Sequence, residues 1–259
     1  MDMSVLKRCL AGVVATGLIG VPSVAYAAIG GAKHPAQPPA STLVAVPVIP
    51  CQVESGSGQN PVAGVPQLLA ALLPRSVSSR LNYYSNGEIT VLAPKGWACS
   101  SLFAADGGRN LVAYPAGQAD PSNGSAPAGA QGVVGILDYT EHGPGVDEVC
   151  GLFPNAPAVQ RFGAQPGSCQ QFSSETVSRP TPDVAIFRDP LNSKGSGDFV
   201  GDANPVSGVV IFPQNDPGSA GNIAKETCGL SLRDSTLCPW IISDFVVRLF
   251  PAEVAQSGQ

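Results

Sequence analysis

The sequence predicts an α+β domain over residues 66–250, a mainly antiparallel sheet with two short helices, stapled by disulfides. Three observations lead there. Short β-branched or aromatic runs recur between Gly, Pro, Asn and Asp, the signature of strands joined by turns. Only two stretches, Gln67–Leu73 and Trp240–Phe250, space their apolar residues as a helix does. Six cysteines follow an export signal, an even number that reads as a disulfide framework.

The elements follow in order. Residues 1–27 form a signal peptide: Lys7-Arg8, an apolar run from Cys9 to Ile19, and Ala25-Tyr26-Ala27 as a small-x-small cleavage site. The competing reading is an uncleaved anchor, because the apolar stretch reaches spanning length. Cleavage would leave no membrane span. Residues 28–65 are rich in Ala, Pro, Gly and Ser and form a leader with one strand candidate, Thr42–Ile49. Gln67–Leu73 lies between Pro66 and Pro74, with Leu68, Leu69, Leu72 and Leu73 at helical spacing. Tyr83–Leu92 carries Asn86-Gly87 between two β-prone runs, predicting a hairpin closed by a tight type I′ turn. Further strands are expected at Asn110–Tyr114, Gly132–Tyr139, Asp183–Arg188 and Gly208–Phe212, with long loops at 115–131, 189–207 and 213–222. The last helix would carry Trp240, Ile241, Phe245 and Leu249 on one face and Asp244 and Arg248 on the other. Residues 251–259 form a C-terminal tail.

Composition narrows the function. Charged residues make up 13% of the chain, against about 25% in ordinary soluble proteins. The pI of about 4.9 argues against nucleic acid, whose phosphates require a basic surface. Six cysteines allow 15 pairings. Sequential pairing is the simplest expectation: Cys51 with Cys99, Cys150 with Cys169, Cys228 with Cys238. No Cys-x-x-Cys occurs, and His34 and His142 are the only histidines, so neither a metal site nor a cofactor is expected.

Candidate chemistry is sparse. There is no Gly-x-Ser-x-Gly elbow and no phosphate loop, and Gly56-Ser57-Gly58 and Gly195-Ser196-Gly197 read as flexible loop points. His142 has Asp138, Glu141, Asp147 and Glu148 nearby, and a carboxylate can orient an imidazole as a general base. A carboxylate pair for glycoside hydrolysis could come from these acids with Asp198 and Asp202. Asp198, Asp202 and Asn204, or Asp189 and Asn192, offer hard oxygen ligands for a structural calcium, without EF-hand spacing. Asn123-Gly124-Ser125 matches a glycosylation sequon. Trp97 and Trp240 each lie within two residues of a cysteine, which suits packing on a disulfide; a sugar- or lipid-contacting Trp is the alternative.

Two stretches carry a resemblance. One is Pro94-Lys95-Gly96-Trp97-Ala98-Cys99, within Ile89–Cys99 and followed by Leu111–Pro115; the other runs from Thr227-Cys228-Gly229-Leu230 through Cys238 to Asp244-Phe245. Together they resemble uncharacterised exported actinobacterial proteins with a Pro-x-Gly-Trp-x-Cys turn and a late Cys pair. The resemblance implies a secreted or envelope setting and disulfides, and it transfers no active site. The expected function is therefore a non-enzymatic binding module meeting an envelope or extracellular partner. The alternative is a secreted hydrolase using His142 or a carboxylate pair.

Overall fold

The computed structural model describes residues 41–55, 58–60, 64–103, 108–121, 129–138, 149–157, 159, 169–197, 203–212 and 223–249. The signal expected at 1–27, residues 28–40 and the tail expected at 251–259 lie outside them.

Among the described residues, thirteen strands build two sheets. A four-stranded sheet has the order β4-β1-β5-β6, from Leu68–Leu73, Thr42–Pro50, Leu81–Ser85 and Thr90–Pro94. A nine-stranded sheet has the order β10-β11-β12-β13-β9-β8-β7-β2-β3. Its β10–β13 span Thr176–Thr181, Val184–Asp189, Val206–Ile211 and Ile223–Gly229. Its other half comprises β9 (Gly132–Asp138), β8 (Arg109–Tyr114), β7 (Ala98–Phe103), β2 (Val53–Ser55) and β3 (Gly58–Asn60). Pairing is antiparallel except between β1 and β5 and between β2 and β7. Helix α1 is a single turn, Arg75–Ser78, and α2 spans Cys238–Leu249. The fold is mainly sheet with few helices.

The middle of the larger sheet is buried on both faces. On one face Leu111, Val133, Val209 and Ile211 meet Tyr83, Val91 and Leu92 of the smaller sheet and Ile241 and Phe245 of α2. On the other, Val112, Val210, Phe187 and Phe212 meet Val149, Leu152 and Phe153. Gly135 sets the approach of the two sheets: a Cβ there would lie 2.8 Å from both Ile89 Cγ2 and Val91 Cγ1. Three disulfides, Cys51–Cys99, Cys150–Cys169 and Cys228–Cys238, join the cysteines in sequential order, and such cross-links belong to an oxidising compartment.

Four expectations are corrected. Gln67–Leu73 is not a helix: Leu68–Leu73 is strand β4, paired antiparallel with β1. An apolar run of six is short enough to satisfy either period, and β1 supplies a partner whose ladder decides it. Pro74 then caps the one-turn α1 instead of ending a helix. The β5–β6 loop is four residues, Asn86–Ile89, not a two-residue type I′ turn. Gly87 takes a left-handed φ of 90°, while the Asn86 side-chain oxygen accepts the Glu88 and Ile89 N–H groups at 2.9 and 2.7 Å. The stretch 28–65 is not wholly a leader: the strand expected at Thr42–Ile49 is β1, and β2 and β3 also lie within it. Asp244 and Arg248 do not share a solvent face, as the next subsection describes.

Candidate functional site

Most of the acids singled out in the sequence, and both histidines, lie outside the described residues. His142 and Glu141 lie outside the described residues, as do Asp147, Glu148, Asp198, Asp202 and His34. Asp138 ends β9 opposite Ile223. Of the candidate calcium ligands, Asp189 is buried and its Oδ2 accepts the Gly197 N–H at 3.1 Å. Asn192 adopts a left-handed φ of 59°, and Asn204 donates to the Gly129 carbonyl at 2.9 Å. Gly195-Ser196-Gly197 is a clamp, not a loose point: Ser196 N–H donates to Glu175, and any Cβ at Gly195 would collide with the Asp189 carboxylate. Trp97 and Trp240 are partly buried against the inter-sheet core.

What the fold does assemble is a polar strut inside the core and an apolar face outside it. The strut links α2 to the smaller sheet. Tyr83, fully buried on β5, donates its hydroxyl to Asp244 Oδ1 at 2.8 Å. Arg248 Nε donates to Asp244 Oδ2 at 2.7 Å, and its terminal nitrogen reaches the Thr90 carbonyl at 2.6 Å. The guanidinium also sits 5.4 Å from the Tyr83 ring centre. Burial, and then the Asp244 charge, push the Tyr83 hydroxyl far above the usual phenol range, so it remains a donor.

Glu226 lies beside this strut on β13, wholly buried, sharing a sheet face with Val209 and Gly135. Neither of its carboxylate oxygens has a hydrogen-bond partner among the described residues. Burial pushes its carboxyl well above the usual range; the Arg248 cation opposes this and the Asp244 charge adds to it. The folded chain therefore holds a proton that the unfolded chain releases above its ordinary pKa of about 4.3. Stability from this group is complete below that pH and declines as pH rises toward the raised folded value. Glu226→Gln is expected to remove that decline. Urea midpoints of the two proteins, measured from pH 4 to 8, separate progressively with the variant the more stable at the higher pH; a constant separation contradicts the buried, protonated carboxyl.

The outer face belongs to the β1–β4 ribbon. Alternation turns Val46, Val48, Ala71 and Leu73 into the core and leaves Leu43, Ala45, Pro47 and Ile49 of β1 outside with Leu68, Ala70 and Leu72 of β4. Register makes the outer residues direct cross-strand neighbours: Leu43 with Leu72, Ala45 with Ala70, Pro47 with Leu68. Leu43 is 74% exposed, Leu68 and Leu72 57% each, and Ile49 37%. No side chain in this set carries a charge or a hydrogen-bonding group. The four large side chains alone present on the order of 400 Å² of apolar surface, within the range of the largest patches on monomeric proteins, which are often functional.

No family model matches the chain, and neither a curated protein nor a solved structure does.

The apolar face thus stands on its own geometry. It escapes sequence reading because the strand expected at Thr42–Ile49 has no partner while Gln67–Leu73 reads as a helix. Reading Leu68–Leu73 as a strand as well reveals it, since residues at i, i+2 and i+4 of both segments are then apolar. β4 is also an end strand of its sheet, and Leu-Leu-Ala-Ala-Leu-Leu lacks the Lys or Pro that usually guards such an edge. No helix among the described residues is long and apolar enough to cross a membrane.

Proposed function

We propose that this is an exported, non-enzymatic binding module of the cell envelope or extracellular space, which engages the apolar surface of a partner protein through the outer face of β1 and β4. The observation that carries the reading is the contiguous, uncharged face formed by Leu43, Leu72, Leu68 and Ile49. Seven neighbouring apolar side chains cost solubility, and that cost is offset when a partner covers them. The signal-peptide pattern and the three disulfides support a location outside the cytoplasm. The low charge content fits recognition by shape and apolar burial rather than electrostatic steering.

The test is the pair Leu43→Glu and Leu68→Glu, at exposed positions that are not opposite one another, where the fold loses little. Each buried leucine in an interface contributes about 1.5–3 kcal/mol, so the double variant is expected to weaken association at least tenfold. In fractionated cultures of its native host the wild type remains with its partner-bearing fraction and the variant does not, while their melting curves coincide. Equal distribution of the two proteins overturns the reading.

A further inference from the structure

A groove beside α2 shares no lining residue with the β1–β4 face. Helix α2 packs over β12 and β13, and this groove of about 270 Å³ remains between it and β10–β12. Its sheet wall is Pro180 and Ile186; its helix wall is Ile242, Val246 and Val247. These are aliphatic surfaces with no aromatic ring and no acid among them.

Polar groups are few and specific. Ser207 and Ser243 each bring a hydroxyl to the lining, and Arg188 brings the only charge among the lining residues. Arg188 is exposed on β11, and its guanidinium has no ion pair or hydrogen bond among the described residues. The contrast with Arg248 is direct: that guanidinium spends its donors on Asp244 and Thr90. In an acidic chain, one uncommitted guanidinium beside an aliphatic slot combines an anion-binding fork with a place for hydrocarbon. Apolar walls with a small number of placed polar groups are the usual make-up of a small-ligand site.

We propose that this groove binds a small aliphatic carboxylate, with its hydrocarbon chain between α2 and β10–β12 and its carboxylate on Arg188. Size sets the chain length. A cavity of about 150 Å³ admits benzene, so a groove of this size takes a chain of about eight carbons. A free carboxylate is required; an acyl chain esterified in a larger lipid offers no anion to Arg188. The site is independent of the outer face of β1 and β4, and neither reading requires the other.

Titration calorimetry of the full chain with octanoate tests this, with octanol and acetate as separate arms. The expected result is saturable binding of one octanoate per chain, at least tenfold tighter than octanol and than acetate, as a charge-assisted contact and an apolar slot together require. Arg188→Gln is expected to reduce octanoate to the level of octanol. Ser243→Trp, at an exposed position on the rim, is expected to abolish binding by filling the slot without shifting the melting curve. Absence of saturable octanoate binding overturns the proposal. So does equal binding of octanol, which removes Arg188 from the site, or of acetate, which removes the groove. Unchanged affinity in both variants overturns it as well.

Discussion

Asp244→Ala is expected to lower the unfolding free energy by about 3–5 kcal/mol, the usual cost of removing one partner from a buried ion pair. The carboxylate accepts from Tyr83 on one oxygen and from Arg248 on the other, so its loss orphans a buried hydroxyl and a largely buried guanidinium together. Burial of Tyr83 is complete, and water cannot replace the lost acceptor without opening the sheet–helix interface. Chemical denaturation gives the value directly. Adding Arg248→Met is expected to recover part of the loss, because the orphaned charge goes with it; Tyr83→Phe alone is expected to cost only about 1 kcal/mol. A cost below about 1 kcal/mol for Asp244→Ala would mean that the strut does not hold α2 to the smaller sheet.

The second large effect concerns the crossing between sheets. The chain leaves β1 in the smaller sheet at Pro50 and enters β2 in the larger one at Val53, and Cys51, between them, is bonded to Cys99 of β7. That bond closes a loop of 48 residues, for which loop entropy gives about 4 kcal/mol. Cys51 N–H also donates to the Ser85 carbonyl at 2.8 Å, so the same residue ties the crossing to β5. Replacing both cysteines by serine is expected to lower the melting temperature by on the order of 10 °C. The fold persists, because the β1–β4 and β5–β6 ladders and the core do not pass through the bond. A shift within one or two degrees would contradict the assigned role.

The strands that could be read from sequence are those whose buried positions are β-branched and bounded by turn residues, such as Asn110–Tyr114 and Gly208–Phe212. The sequential order of the cysteines also carried their pairing: the β2–β7 pairing brings Cys51 to Cys99, and the helix after β13 brings Cys238 to Cys228. β13 was hidden because Lys225, Glu226 and Thr227 occupy its centre, and a buried Glu contradicts every compositional cue for a central strand. The helical spacing at Asp244 and Arg248 was sound as geometry and mistaken as environment. A four-residue interval makes the pair neighbours on a helix; whether they meet water or Tyr83 depends on a strand 161 positions away in sequence from Asp244. The outer face is the same case. Leu43 and Leu72 become neighbours only through the β1–β4 register, and nothing local to either segment specifies it.

The most direct measurement of the central claim is site-specific photo-cross-linking in the native setting. A photoreactive residue replaces Leu72 in one protein and Leu232 in another; Leu232 is 66% exposed but lies outside the β1–β4 face. The account predicts a discrete adduct from position 72, its loss when Leu43→Glu is added, and none from position 232. The absence of an adduct at 72, or the same adducts from both positions, would contradict it.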